Sequence, residues 1–116
     1  MRKSTTIALA LLLVPAMSAA ASWTGKASYY GLSGNKTASG SRVHGGDLTA
    51  AHRTLPFGTP VKVTNLDNGR SVHVIINDRG PFVPGRVIDV STHAADLLSF
   101  RNRGVARVRV DTINKE

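Results

Sequence analysis

Cysteine is absent from the 116 residues. Disulfides therefore say nothing about the redox compartment, while thiolate metal sites, thiol nucleophiles and a lipid anchor on an N-terminal cysteine are all excluded. Glutamate is almost absent as well: the only one is Glu116 at the far end, so internal carboxylate chemistry must come from aspartate. Long apolar runs are missing too. The longest extends only from Ile7 to Val14, well short of the roughly 20 residues that cross a bilayer. There is no solenoid-type repeat, no Pro/Ser-rich linker and no second module after Ile113, so any binding is expected of a single domain.

What is present begins with an export-like segment: Arg2-Lys3, the apolar run, Pro15, and small residues up to Ala21. Positions 1–21 read as a signal peptide cut after Ala20 or Ala21, leaving 22–116 as one small, soluble, monomeric domain, periplasmic or secreted, neither lipidated nor membrane-anchored. Fifteen Lys and Arg against seven Asp and Glu give +8, and thirteen against seven, or +6, remain once Arg2 and Lys3 are removed. An excess of that size favours polyanionic partners. For an exported chain these are anionic envelope polymers rather than nucleic acid.

From Trp23 onward, short runs with period-two alternation are broken by Gly, Pro, Asn and Asp, the pattern of an all-β barrel or sandwich of five or six strands. Ser22–Tyr30 reads as the first strand and Gly31–Gly46 as a long loop. Pro60–Leu66 and Ser71–Ile76 form a hairpin around Asp67-Asn68-Gly69, because Asn and Gly accept positive φ. Val87–Val90 is a short strand, and Ser91 or Thr92 caps a helix over His93–Leu98. Val105–Ile113 closes the chain, with Val108 and Val110 on one face and Arg107 and Arg109 on the other.

Five ordered blocks then carry a resemblance: ASYYG (Ala27–Gly31), TASG (Thr37–Gly40), LTAAHRTLPFGTPVKVTNLDNGRSV (Leu48–Val72), INDRGPF (Ile76–Phe82) and GRVIDVSTHAA (Gly85–Ala95). Together they resemble the RlpA (rare lipoprotein A) family over nearly all of the mature chain. The resemblance implies a six-stranded double-psi β-barrel with one short helix, and a groove that binds and cleaves peptidoglycan glycan strands, particularly those stripped of stem peptides. No cofactor is implied. The same barrel occurs in expansins and some cellulases, so fold alone does not settle function.

A lytic transglycosylase breaks the MurNAc–GlcNAc bond with the sugar's own 6-hydroxyl, so no second carboxylate is needed to activate water, and one group can act first as acid and then as base. Asp78 ends an apolar strand and enters a Gly-Pro turn, where partial desolvation favours the protonated form. The family's catalytic Asp falls at this position. A turn cap, or an ion pair with Arg79 or Arg86, is the competing role. His52 matches a position that implies contact with the sugar or tuning of Asp78, a satisfied polar residue being its plainer role. Ser41, Tyr30, Thr37, Arg79 and Phe82 complete the expected site as substrate-binding residues, with Tyr29 and Trp23 as further stacking aromatics or core. Asp89, between Ile88 and Val90, reads as structural or as an assistant to Asp78. His44, His73 and His93 have no metal-binding spacing.

One departure stands out. Family members usually read T-A-x-G-E where this chain reads T-A-S-G-S, Thr37 to Ser41. Serine is no proton donor at useful pH, so a mechanism needing that glutamate fails here, and Asp47 is the nearby carboxylate in the same loop. A non-catalytic, expansin-like glycan binder therefore stands beside the transglycosylase. An inhibitor on a similar barrel has no specific residue behind it.

Overall fold

The computed structural model describes residues 21–30, 36–42 and 46–113. The expected signal segment 1–21 lies outside these except for Ala21, as do His44 and much of the Gly31–Gly46 loop. Along the chain come β1 (Ser22–Tyr30), β2 (Thr49–Ala51), β3 (Pro60–Asn65), β4 (Ser71–Asp78), β5 (Arg86–Ser91), α1 (Thr92–Leu97) and β6 (Ala106–Thr112). The strands close into a barrel in the order β1-β5-β2-β4-β3-β6. Pairs β1–β5 and β2–β4 are parallel and the rest antiparallel. This is the all-β, six-stranded barrel with one short helix that the sequence implies.

Alternation builds the core. Val61 and Val63 of β3, Val74 and Ile76 of β4, and Val108 and Val110 of β6 are fully buried, while Lys62, Arg107 and Arg109 between them face water. Each such side chain contributes about 1.5–3 kcal/mol on leaving water. The β3–β4 hairpin forms where Asn-Gly places it: Gly69 sits at φ 80° and donates to the Asn65 carbonyl at 2.8 Å. Ser91 caps α1, its side chain accepting from the Ala94 amide. The helix buries Ala94 and Ala95, and Leu98 and Phe100 follow it into the core.

β2 is the element that the alternation does not reveal. Thr-Ala-Ala is too short to show a period and has in Thr49 a single branched side chain of the kind that marks strands, yet it lies between β4 and β5. In the expected loop, Lys36 and Arg42 form an isolated bridge, and the turn between them docks on β4 through Ser39 N–H to the Asn77 carbonyl at 3.3 Å.

Candidate active site

β2 brings two aspartates together. Ala51 lies in register with Asp78 at the end of β4 on one side and with Asp89 of β5 on the other, after a bulge between Ala50 and Ala51. Neighbouring strands are about 4.8 Å apart, so the two aspartate backbones stand about 10 Å from each other with Ala51 between them.

Asp78 is anchored at one oxygen. Its Oδ1 accepts from the Ala38 amide at 2.8 Å and from the Arg79 amide at 2.9 Å, which leaves Oδ2 for a ligand. Its carbonyl accepts from the His52 amide at 3.1 Å, tying the β2–β4 junction shut beneath the carboxyl. Asp89 is half-buried, and burial pushes its carboxyl up from the ordinary value; a hydrogen bond from the Ser28 hydroxyl and the Arg86 charge pull it down, and the Asp78 charge raises it. Tyr30 sits among the same groups. Burial raises its phenol, a hydrogen bond with Thr49 Oγ1 at 2.8 Å lowers it, and the charges of Asp78, Asp89 and Asp47 raise it. Asp47 is exposed.

Ser41 falls beside Asp78 in a cluster of hydroxyls: Thr37 Oγ1 lies 2.9 Å from Ser39 Oγ and 2.9 Å from Ser41 Oγ. Asn77 Nδ2 donates to Ser41 Oγ at 3.4 Å, and Asn77 Oδ1 is buried with no hydrogen-bond partner. At position 41 itself the chain offers a hydroxyl, and the carboxylate nearest the turn is Asp78, bonded to the Ala38 amide. Phe82, four residues beyond Asp78, is 74% exposed, and its ring carbons lie 3.6 Å from where a Cβ on Gly80 would stand. That ring is available for a sugar face.

His52 and Arg79 take different places from those expected of groove-lining side chains. His52 is only 3% exposed. Its Nδ1 accepts from the Thr54 and Leu55 amides, both at 3.1 Å, and its ring meets Trp23 edge-on at 4.5 Å. Burial, then the charges of Arg53 and Arg79, lower its pKa and keep it neutral. Direct sugar contact is closed to it, but it shapes the loop that leaves β2. Arg79 binds that loop: Nη1 donates to the Leu55 carbonyl at 2.8 Å and the His52 carbonyl at 3.3 Å, and the guanidinium lies 4.1 Å over the Phe57 ring. Arg79 is thus turned towards residues 52–57 and not into an ion pair with Asp78.

The remaining aromatics pack inward. Trp23 and Tyr29 lie against the core, and the Tyr29 hydroxyl donates to the Arg101 carbonyl at 3.1 Å. His73 is exposed, and His93 Nδ1 lies 2.9 Å from the Gly46 carbonyl. Among the described residues no group of three or more His, Cys, Asp or Glu is placed to hold a metal ion. Asp89, read from the sequence as structural or as an assistant to Asp78, has the bonded partner a structural residue needs. Its signal was a charged residue within a run that otherwise alternates into the core, a position that demands a partner, and Ser28 is that partner.

A closed six-stranded barrel in this order, with two parallel strand pairs, is a double-psi β-barrel. Residues 22–110 match the Lytic transglycolase family, and the chain belongs to it. It is 54% identical over 98 residues to the Nostoc sp. protein named probable endolytic peptidoglycan transglycosylase RlpA, covering 81% of this chain and 26% of that one. It is 49% identical over 98 residues to the Rickettsia typhi endolytic peptidoglycan transglycosylase RlpA, covering 80% and 31%. Among solved structures it resembles the Streptomyces papain inhibitor, with a TM-score of 0.67, 26% identity, and coverage of 81% of this chain and 96% of that one. The chain thus spans about a quarter to a third of the length of these two relatives.

Proposed function

We propose that the protein is an exported endolytic peptidoglycan transglycosylase that acts as a monomer, with Asp78 as the proton-transfer residue. The observation that carries the reading is the pair of aspartates flanking Ala51, one of them with a free oxygen at the end of β4. Asp78 gives its proton to the glycosidic oxygen as that bond breaks. The MurNAc 6-hydroxyl then attacks the anomeric carbon, and the resulting carboxylate takes the hydroxyl proton, leaving a 1,6-anhydro end and the intact GlcNAc alcohol. Water does not enter.

Asp89 is the second acidic group of this site. Burial raises its proton affinity above that of an ordinary aspartate, so it holds a proton to higher pH than an exposed carboxyl would. Tyr30, Ser41 and Phe82 are the sugar-facing groups; Thr37, expected among them, is buried and orders the Ser41 hydroxyl instead, while His52 and Arg79 hold the 52–57 loop around them. The test is incubation of purified protein with peptidoglycan and with peptide-stripped glycan, followed by mass spectrometry for 1,6-anhydroMurNAc ends. Their absence on every glycan sinks the reading.

The hydroxyl cluster at Ser41 favours a second reading, an expansin-like, non-catalytic glycan binder. Ser41→Glu separates the two. Wild-type activity supports the enzyme; an inactive wild type whose Ser41→Glu variant gains anhydro ends supports a binder descended from one.

A further inference from the structure

Lys26 of β1 lies directly opposite Arg86 of β5 on one side and Arg107 of β6 on the other. Three cations therefore stand in register across three adjacent strands, a row about 10 Å wide at a strand spacing of about 4.8 Å. Arg103, before β6, extends it: Lys26, Arg103 and Arg107 rim a depression of about 260 Å³ floored by Val105 and Ala106. One carboxylate is shared here, Asp67, 4.0 Å from Arg103 and 3.9 Å from Arg107, whose side chains remain 68% and 63% exposed.

Like charges directly opposite on a sheet are destabilising. Elsewhere on this wall the register avoids them: Lys62 faces Asp111, and Arg109 faces Thr24 and Thr64 and bonds Asp111 at 3.1 Å. The Lys26 row is the exception. The folded chain by itself gains nothing from setting cation against cation; a bound polyanion turns that cost into attraction. The row also leads to the aspartate site. The register skips Val87, passing from Lys26 opposite Arg86 to Ala27 opposite Ile88, so Arg86 shares the outward side with Asp89 three residues along β5, and its charge reaches the Asp89 carboxyl.

We propose that Arg86, Lys26, Arg107 and Arg103 form a track for the carboxylates carried along a cell-wall glycan strand, continuing from the aspartate site across β1 to β6. The identity of the polymer rests on the peptidoglycan reading; the track itself does not need cleavage. A file of single side chains running across a curved wall matches a thread-like polyanion more closely than a plane of headgroups.

The test compares peptide-stripped glycan strands with the same strands after amidation of their carboxyls. At low salt the wild-type protein is expected to bind the carboxylate form about 3- to 10-fold tighter, the scale of two exposed ion pairs. Lys26→Gln/Arg107→Gln, which leaves Arg86 and Arg103 in place, should lose most of that preference, and Arg109→Gln should keep it. If the double variant does not fold, Arg103→Gln, outside the strands, should reduce the preference on its own. Equal binding of both forms by wild type, or a double variant that keeps the full preference, overturns the track. So does a double variant that loses anionic phosphatidylglycerol vesicles but keeps the glycan preference, for then the row faces lipid. A wild type that makes no anhydro ends overturns the proposed activity and leaves this binding comparison intact.

Discussion

Asp78 and Asp89 sit on either side of one alanine and are predicted to answer differently to the same isosteric change. Asp78→Asn keeps the shape and loses the proton, so anhydro-product formation should fall by about 10²–10⁴-fold while sacculus binding stays largely intact, measured by product mass spectrometry and sedimentation. Asp89→Asn should also lower activity, yet raise the melting temperature at pH 7. Burial raises the Asp89 pKa, so this carboxyl favours the folded state while protonated and loses that contribution as pH rises through its folded value; the amide avoids the buried charge and still accepts from Ser28. His52 has the opposite sign. Its folded pKa lies below the ordinary 6.5, so the unfolded chain takes up its proton first, and the stability this imidazole contributes is present above about 6.5 and lost as pH falls through the folded value. Denaturant titrations of wild type and His52→Gln between pH 7.5 and pH 5 should converge towards acid. Asp78 was legible because a carboxylate ending an apolar strand before Gly-Pro is conspicuous. The burial of His52 was not, since nothing in T-A-A-H-R announces that Trp23, far back in the chain, will cover the ring.

Elements were read well wherever side-chain period and turn chemistry agreed. The β3–β4 hairpin is the clearest case, with valines alternating on both arms and Asn-Gly between them. β2 escaped because two long-range neighbours, and not its own three residues, make it a strand. Asn65 shows how the hairpin is fastened to the rest: its Nδ2 donates to the Leu98 carbonyl at 3.0 Å just past α1, and its Oδ1 accepts from the Asp67 amide at 2.9 Å. Asn65→Ala takes away the acceptor of the Asp67 amide and leaves the Leu98 carbonyl with Asn68 Nδ2 alone, at 3.0 Å, and should cost about 1–2 kcal/mol in urea unfolding. Gly25 is a second fastening. A Cβ there would come within 2.6 Å of Val87 Cγ1 and 3.0 Å of the Gly85 carbonyl, so Gly25→Ala should destabilise by about 1–3 kcal/mol through overpacking at the β1–β5 seam.

For the whole molecule, the excess of basic residues sets the conditions under which it meets an anionic wall. Binding to isolated sacculi should weaken markedly between about 0.01 M and about 0.5 M salt, as the Debye length shrinks from roughly 30 Å to a few Å. Binding that ignores salt would point to Phe82 stacking on sugar rings and away from charge. The closed barrel also governs when the protein can exist at all. β1 is held between β5 and β6, the last two strands of the barrel, and β2 waits for both β4 and β5. A chain emerging from the ribosome therefore has its first strand in hand long before either flanking partner has been synthesised. No leading fragment holds a finished sheet, and contacts this remote in sequence form slowly. Closure of the barrel therefore belongs to the last step of synthesis, when β6 joins β1 to β3.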